Sequence, residues 1–252
     1  MNKAFRNFCV AASVIAAGAA TALLVYPRVV VRAQTPRFVA VYQSTLHPLA
    51  PGVTTRPDIF FIRAATSDGI KVRANLSGDP RSGGQVVFRR IDSTRDGLTH
   101  LVSDPAHSVT QQKRSALDSA RLHQAWRNSS CEQTDYPSEL LGSGEFAGYT
   151  VTKIRSSSPD VSVERWMAPA LGCLTVFLRH ESLSETGQAL YAVEERAIQI
   201  DAIEPPAALT SVEPGFTQRD LAGLLAAVAA AEGAAPPKHL MERARTQQPA
   251  AQ

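Results

Sequence analysis

Apolar and polar residues alternate over the whole of Ile70–Leu76, which reads IKVRANL. A period of two places successive side chains on opposite faces of a strand, so this segment is predicted to be a strand with one buried face. A second apolar run, 58–63, precedes it, and the connection contains Asp68-Gly69, a pair that tolerates the positive φ of a tight turn. The two runs are therefore predicted to form a β-hairpin.

The chain has eight further short runs rich in β-branched and aromatic residues, and Gly, Pro, Asp or Ser fills most of the gaps between them. Short strands with short connections indicate antiparallel meanders. The predicted fold class is therefore mainly β (α+β), a single domain at 34–235 built on an antiparallel curved sheet or half-barrel. The eight runs are 38–44, 85–91, 98–103, 107–112, 149–154, 161–166, 173–180 and 189–200.

A short helix interrupts the strand pattern in the middle of the chain. Ser115 and Asp118 have the spacing of a capping box, in which two side chains satisfy the free amides of a helix's first turn. We therefore expect a short middle helix over 115–126.

The C-terminal helix has stronger signals. Thr217 and Asp220 repeat the capping spacing, and leucines and a valine then recur at helical intervals before Gly233. This apolar stripe predicts a helix that packs on the sheet. The segment that follows, 236–252, is polar and has no apolar period, so it is predicted to be a disordered tail.

The beginning of the sequence has the pattern of an export signal. Lys3 and Arg6 come before an uncharged apolar run at 9–26, which corresponds to the basic and hydrophobic regions of a signal peptide. The segment Val31-Arg32-Ala33 has small side chains at the positions that a signal peptidase reads, which favours cleavage before Gln34. The alternative is an uncleaved anchor in the inner membrane, because the run approaches the length that crosses a bilayer. In either case residues 1–33 predict an exported protein of the bacterial periplasm or cell envelope, with membrane contact only through this segment if it is uncleaved.

The net charge of +3 comes from this same segment. Four of the 26 Lys and Arg residues and none of the acidic residues lie within 1–33, which leaves 22 basic against 23 acidic residues and a net charge of −1. Such a chain has no basic field to attract the phosphates of nucleic acid. We therefore expect no nucleic-acid partner.

Two of the three cysteines, Cys131 and Cys173, lie in the exported part of the chain, and Cys9 lies in the apolar run. In an oxidising compartment such a pair is best interpreted as a disulfide, which should stabilise by about 4 kcal/mol on the chain-entropy model. The alternative is two unpaired buried thiols. Neither cysteine has a second Cys or His at metal-ligand spacing.

Patterns typical of catalysis are not found. The six histidines are scattered, and the segment 142–144 (GSG) lacks the flanking residues of a nucleophile elbow, so it is interpreted as a turn. Glu194 and Glu195 point to opposite faces of a strand and are interpreted as solvated charges rather than a paired carboxylate site. No catalytic residue, metal ligand or cofactor is predicted, and we expect a non-catalytic protein.

The most unusual segment is 163–173, a predicted strand that ends at a Pro/Gly turn before Cys173. Because Glu164 and Trp166 alternate with Arg165, the carboxylate and the indole share one face of the strand. This pair is a candidate binding face, and the alternative is that Trp166 is a core or rim residue that anchors the turn.

The motif Glu-Arg-Trp-x-Ala-Pro-x-Leu-Gly at 164–172, with ELLG at 139–142 and GYTV at 148–151, resembles uncharacterised exported bacterial β-rich proteins. The resemblance covers about residues 131–205. It implies export and a β-rich fold, and it implies no known activity.

The predicted architecture suggests a function by analogy. A curved sheet closed by a helix forms an apolar groove, as in the outer-membrane lipoprotein carriers, and this analogy rests on architecture alone. The leading hypothesis is a periplasmic module that binds a lipid or another apolar or amphiphilic ligand. One alternative is a structural or interaction protein of the cell envelope, tethered by its N-terminal segment, whose sheet edge or tail binds an envelope protein. The other is a hydrolase whose catalytic residues are dispersed.

Overall fold

The computed structural model describes residues 36–114, 131, 138–235, 241, 242 and 244. The predicted export segment 1–33, the middle helix predicted over 115–126 and most of the predicted tail 236–252 lie outside the described residues. The prediction of a mainly β protein is confirmed, since strands form most of the described part of the chain.

Twelve strands form one open, curved sheet in the order β12-β6-β5-β4-β3-β2-β1-β11-β10-β9-β8-β7. They are β1 (Phe38–Pro48), β2 (Ile59–Ala65), β3 (Ile70–Leu76), β4 (Val86–Ser93), β5 (Leu98–Ser103), β6 (Ser108–Lys113), β7 (Ser138–Phe146), β8 (Tyr149–Ser157), β9 (Val161–Ala168), β10 (Leu174–Leu183), β11 (Ala189–Asp201) and β12 (Thr217–Gln218).

The sheet consists of two antiparallel meanders, β1 to β6 and β7 to β11. Antiparallel pairing of β1 with β11 joins them, from Val39 opposite Asp201 to Pro48 opposite Tyr191. The short strand β12 pairs in parallel with β6. The antiparallel, curved sheet that the sequence predicts is therefore confirmed.

The predicted hairpin is β2 and β3, and Gly69 in its turn has a φ of +98°. The sequence did not reveal β7. Its GSG segment, interpreted as a turn, lies inside the strand, so that interpretation is wrong. Gly142 has a φ of +110° at a break in the β7–β8 register, and glycine supplies this left-handed conformation without the steric cost that a side chain would add.

Among the described residues, the segment after β11 contains the α-helices α1 (Ala207–Thr210) and α2 (Leu221–Ala231), and short 3₁₀ turns occur at Pro80–Ser82 and Pro169–Leu171. The N-cap of α2 is Asp220, whose carboxylate accepts a hydrogen bond from the Gly223 amide at 2.6 Å. Thr217 is therefore not the cap that the spacing predicted, because it pairs with β6 as part of β12.

The α2 helix contacts β6, as the apolar stripe predicted, and its Leu224 is buried. None of the helices in the described ranges is long and apolar enough to cross a membrane.

Strands β2 to β6 bury one face of the sheet. An apolar cluster that includes Val72, Ile91 and Val102 occupies this face. The segment after β11 covers the cluster, since Leu209, Val212 and Phe216 pack against it.

Arg89 holds this covering segment on the sheet. Its side chain is 2% exposed and donates two hydrogen bonds to Asp104, at 2.7 and 3.1 Å. The same guanidinium donates to the carbonyl oxygens of Ala208 and Ser211. One buried cation therefore satisfies a carboxylate and two carbonyl groups next to α1.

Tyr42 links the two meanders through a side chain. Its hydroxyl donates a hydrogen bond of 2.8 Å to the Thr175 carbonyl of β10, and its ring stacks on Phe61 of β2 at 4.9 Å. Ala197 lies directly opposite Tyr42 in β11, and its small side chain leaves room for the phenol to reach β10. Burial raises the pKa of Tyr42, so the hydroxyl keeps its proton and remains a donor.

Replacing Arg89 should loosen the covering segment. We expect Arg89→Met to lower the free energy of unfolding by about 3 kcal/mol, because Asp104 and two carbonyl groups lose their donor. Urea unfolding measures the loss, and hydrogen exchange should become faster in 203–216. The control is Arg95→Met at an exposed turn position, which should change stability by less than about 0.5 kcal/mol. Equal losses in both variants would contradict the role of Arg89.

Removing the Tyr42 hydroxyl should weaken the junction between the meanders. Tyr42→Phe leaves the Thr175 carbonyl without its donor, so we expect a loss of about 1 to 2 kcal/mol in urea unfolding. Tyr191→Phe is the matched control, because the Tyr191 hydroxyl makes no hydrogen bond within the described part of the chain. A Tyr42→Phe protein as stable as the Tyr191→Phe protein would refute this assignment.

Candidate functional site

The structure joins Cys131 and Cys173 in a disulfide, with Cα atoms 5.4 Å apart and a sequence separation of 42 residues. The cystine packs against Ile154 and Met167. It follows the 3₁₀ turn Pro169–Leu171, so it fixes this turn beside the cavity described below.

Glu164 and Trp166 lie on one face of β9, as their alternation predicted. The indole N–H donates to the Glu164 carboxylate at 2.8 Å, and Arg155 of β8 donates to the other carboxylate oxygen at 2.9 Å. Burial raises the pKa of Glu164, but these hydrogen bonds and the charge of Arg155 outweigh it, so the pKa lies below its ordinary value. The carboxylate is therefore ionised and has partners within the protein.

The Trp166 ring also has partners on neighbouring strands. The Lys153 ammonium lies 4.0 Å from the ring centroid, and the Phe177 ring lies 4.8 Å away. The indole borders a depression of about 620 Å³, which Gln43 and Arg196 also line. That Glu164 and Trp166 form a binding face stays a prediction, and the rim interpretation explains the same contacts.

Glu194 and Glu195 point to opposite faces of β11, as predicted, but neither is a solvated charge. Glu194 bonds to Arg179 at 2.5 Å, and Glu195 bonds to Arg63 at 2.6 Å. Their side chains are only 29% and 17% exposed. The interpretation as solvated charges is wrong because strand pairing brings an arginine to each carboxylate.

Three arginines lie directly opposite one another on the sheet face that carries Glu195. Arg63 of β2 is paired with Arg73 of β3, and Arg73 is paired with Arg90 of β4. We call Arg63, Arg73 and Arg90 the arginine row. The row places three guanidinium groups side by side across three neighbouring strands.

Buried aromatic rings form the floor beneath two of these arginines. The Arg63 guanidinium carbon lies 4.8 Å from the Tyr42 ring centroid, and that of Arg73 lies 4.4 Å from the Phe61 ring centroid. Stacking uses the flat face of a guanidinium and leaves its N–H groups free to bind an acceptor at the edge. Glu195 accepts from Arg63 at 2.6 Å and lies 3.7 Å from Arg73.

Asp92 is the second carboxylate beside the row. It binds Arg90 at 2.9 Å, Arg114 at 3.1 Å and the Thr99 hydroxyl at 2.6 Å. Lys71 lies directly opposite Asp92 on β3. Burial lowers the pKa of Lys71 to about 8, the charge of Asp92 acts in the opposite direction, and Arg114 lowers it further.

A cavity of about 280 Å³ lies between the arginine row and the turn after β9. Its wall is formed by a set of apolar side chains and a set of charged side chains. The apolar side chains include Phe38, Ala65, Leu171 and Leu174, and the charged side chains are Arg63, Lys71, Arg73 and Asp92. Within the described ranges, no cluster of His, Cys, Asp and Glu is suited to hold a metal ion. The arrangement can hold an apolar group and an anion next to each other.

The sequence interpretation missed this site. Alternation predicted Ile70–Leu76 as a half-buried strand, but it did not indicate which basic residues of neighbouring strands lie beside Arg73. The available signal was the presence of basic residues in three consecutive predicted strands, namely Arg63, then Lys71 and Arg73, then Arg89 and Arg90.

No protein-family model matches the chain, and no curated protein matches it. Among solved structures, the chain is similar to an uncharacterized conserved protein from Thermus thermophilus, with a TM-score of 0.44 and 10% identity over 73% of this chain and 90% of that one. It is also similar to MucB in the Pseudomonas aeruginosa MucA/MucB complex, with a TM-score of 0.40 and 16% identity over 75% of this chain and 60% of that one.

A LolA superfamily protein from Nitrosomonas europaea is similar with a TM-score of 0.34 and 7% identity, over 70% of this chain and 90% of that one. In the MucA/MucB complex, this chain spans 60% of the matched chain, which is less than two thirds of its length. The function proposed below therefore depends on this chain's own side chains.

The lowered pKa of Lys71 predicts a pH dependence of stability. Between about pH 8 and the ordinary lysine pKa the folded state has released this proton while the unfolded state still holds it, so stability rises with pH. Comparison with Lys71→Met cancels the other titrating groups. From about pH 7.5 to about pH 10, urea unfolding should show wild type gaining about 2 kcal/mol relative to the variant. Parallel stability curves for the two proteins would contradict this prediction.

Proposed function

We propose that this chain is an exported, non-catalytic protein that binds an amphiphilic ligand in the cavity beside the arginine row. The observation that carries the proposal is the composition of the cavity wall, where apolar and cationic side chains meet. Phe38, Leu171 and Leu174 would contact the apolar part of the ligand, and Arg63 and Arg73 would contact its polar part.

The size and energetics of the cavity fit a short apolar group. Its volume of about 280 Å³ is close to the lower end of the range for ligand sites, about 300 to 1,000 Å³. Each methylene removed from water contributes about 0.8 kcal/mol, so four buried methylenes would contribute about 3 kcal/mol. The charged groups then select ligands by their polar end.

Two features of the chain support export, and the composition of the cavity wall supports a binding role. The sequence pattern of 1–33 is that of an export signal or anchor, and the disulfide suits an oxidising compartment such as the periplasm. The described wall of the cavity contains no histidine, and its one cysteine, Cys173, is in the disulfide. Binding therefore explains this wall better than nucleophilic catalysis does.

A second candidate is an interaction protein of the cell envelope. β7 is at one end of the strand order and, within the described residues, pairs only with β8. Its Leu140 is 56% exposed. A free strand edge with an exposed leucine can pair with a strand of a partner protein.

Native mass spectrometry of the full chain purified from its own envelope tests the first proposal. We expect bound amphiphile on the wild type, and less than about a tenth as much on Thr175→Phe, because this side chain would fill the cavity. Thr150→Phe is the control at an exposed position of the same sheet, and it should carry as much amphiphile as wild type. Circular dichroism confirms that both variants fold.

Each other outcome has a definite meaning. Wild type without amphiphile, or a Thr175→Phe protein that carries as much as wild type, would overturn the proposal. A protein bound at constant stoichiometry in place of amphiphile would favour the second candidate.

A further inference from the structure

The arginine row is an unfavourable arrangement for the protein on its own. Arg63 and Arg73 are directly opposite each other, and so are Arg73 and Arg90. Like charges at directly opposite positions of neighbouring strands destabilise a sheet. Folding alone does not require three cations at these positions.

The carboxylates around the row do not balance its charge. Within the described residues, Glu195 contacts Arg63 and Arg73, and Asp92 contacts Arg90 and Arg114. Four guanidinium groups therefore share two carboxylates, and this count does not include the ammonium group of Lys71. The sheet face at the cavity has an excess of positive charge.

Arg73 is the member of the row with the most capacity for a ligand. Its side chain is 50% exposed, and its distance of 3.7 Å to Glu195 is beyond hydrogen-bonding range. Every other arginine that pairs with a carboxylate in the described ranges does so at 3.1 Å or less. Its guanidinium lies over the Phe61 ring, and an arginine on an aromatic face can use its N–H groups to bind an acceptor.

We infer that the arginine row, through Arg63 and Arg73, binds the phosphate of an anionic lipid, and that the first few methylenes of its alkyl chain lie in the adjacent cavity. This inference rests on the proposed function and specifies its ligand class. Guanidinium groups bind phosphate oxygens through paired N–H donors. A phosphate would compensate the excess positive charge that Glu195 and Asp92 leave.

The adjoining apolar wall favours a lipid over a free phosphate ester. Phe38, Leu171 and Leu174 lie in the same cavity as Arg63 and Arg73. A phosphate ester without an alkyl chain would leave this apolar surface uncovered and would gain none of the free energy of its burial. Headgroup and chain should therefore bind together.

The test is calorimetric titration of the purified full chain with three probes, the lysolipids below micelle-forming concentrations. The probes are tetradecanoyl lysophosphatidylglycerol, which is anionic, tetradecanoyl lysophosphatidylcholine, which has the same alkyl chain and no net charge, and glycerol 3-phosphate. We expect the anionic lysolipid to bind about tenfold more tightly than the zwitterionic one. Salt at about 0.5 M should weaken the binding of the anionic lysolipid only.

Variants distinguish recognition by the row from a general charge effect. Arg73→Gln should weaken binding of the anionic lysolipid about tenfold. It should weaken binding of the zwitterionic lysolipid less than about twofold, because the choline ammonium beside that phosphate is repelled by the arginine row and offsets its attraction. Arg56→Gln removes one positive charge from an exposed loop position, and it should leave both affinities unchanged. Equal losses in Arg73→Gln and Arg56→Gln would overturn the inference.

The probes also separate failure of this inference from failure of the proposed function. Equal affinity for the two lysolipids, with no effect of Arg73→Gln, would overturn the inference that the site prefers an anionic headgroup. The proposal that the cavity binds an amphiphile would still hold. Binding of neither lysolipid would overturn both proposals. Glycerol 3-phosphate binding as tightly as the anionic lysolipid would overturn the lipid assignment, because the alkyl chain would then contribute nothing.

Discussion

The pairing of β1 with β11 is the constraint on which the rest of the structure depends, because it makes one sheet from two meanders. The contacts that it permits are distant in the chain. Arg63 and Glu195 are 132 residues apart, and Tyr42 and Thr175 are 133 residues apart. Closing such long loops costs entropy before any contact is made. The backbone hydrogen bonds between β1 and β11 and the contacts of the buried Tyr42 must together offset that cost. The candidate site lies at this junction, and its walls come from both meanders.

The two faces of the β2–β6 half of the sheet have different roles, and one dipeptide shows the division. Arg89 and Arg90 are adjacent in β4, so their side chains point to opposite faces. Arg89 is buried beneath the covering segment and binds Asp104 and two carbonyl groups there. Arg90 is half exposed in the arginine row and shares Asp92 with Arg114. The first arginine therefore stabilises the fold, and the second adds positive charge to the candidate site.

Local patterns determine which parts of this fold a sequence can predict. Alternation identified Ile70–Leu76 and turn chemistry identified the β2–β3 hairpin, because both signals are contained within a few residues. β7 was missed because its glycines are typical of turns, yet a register break accommodates Gly142 within the strand. The partners of Glu194 and Glu195 were missed for another reason. They depend on which distant strands flank β11, and pairing between distant strands has no local signature.

The aromatic floor helps the sheet tolerate an arginine row whose charge Glu195 and Asp92 neutralise only in part. Further carboxylates would cancel the remaining positive charge, whereas the rings of Tyr42 and Phe61 attract Arg63 and Arg73 through a quadrupole and carry no net charge. The repulsion between opposite arginines is thus reduced while the positive potential at the cavity is kept. Because Phe61 and Tyr42 are themselves buried core residues, the packing that joins the two meanders also fixes the cations beside the apolar wall. In this chain, a stable core and a cationic binding surface share the same two rings.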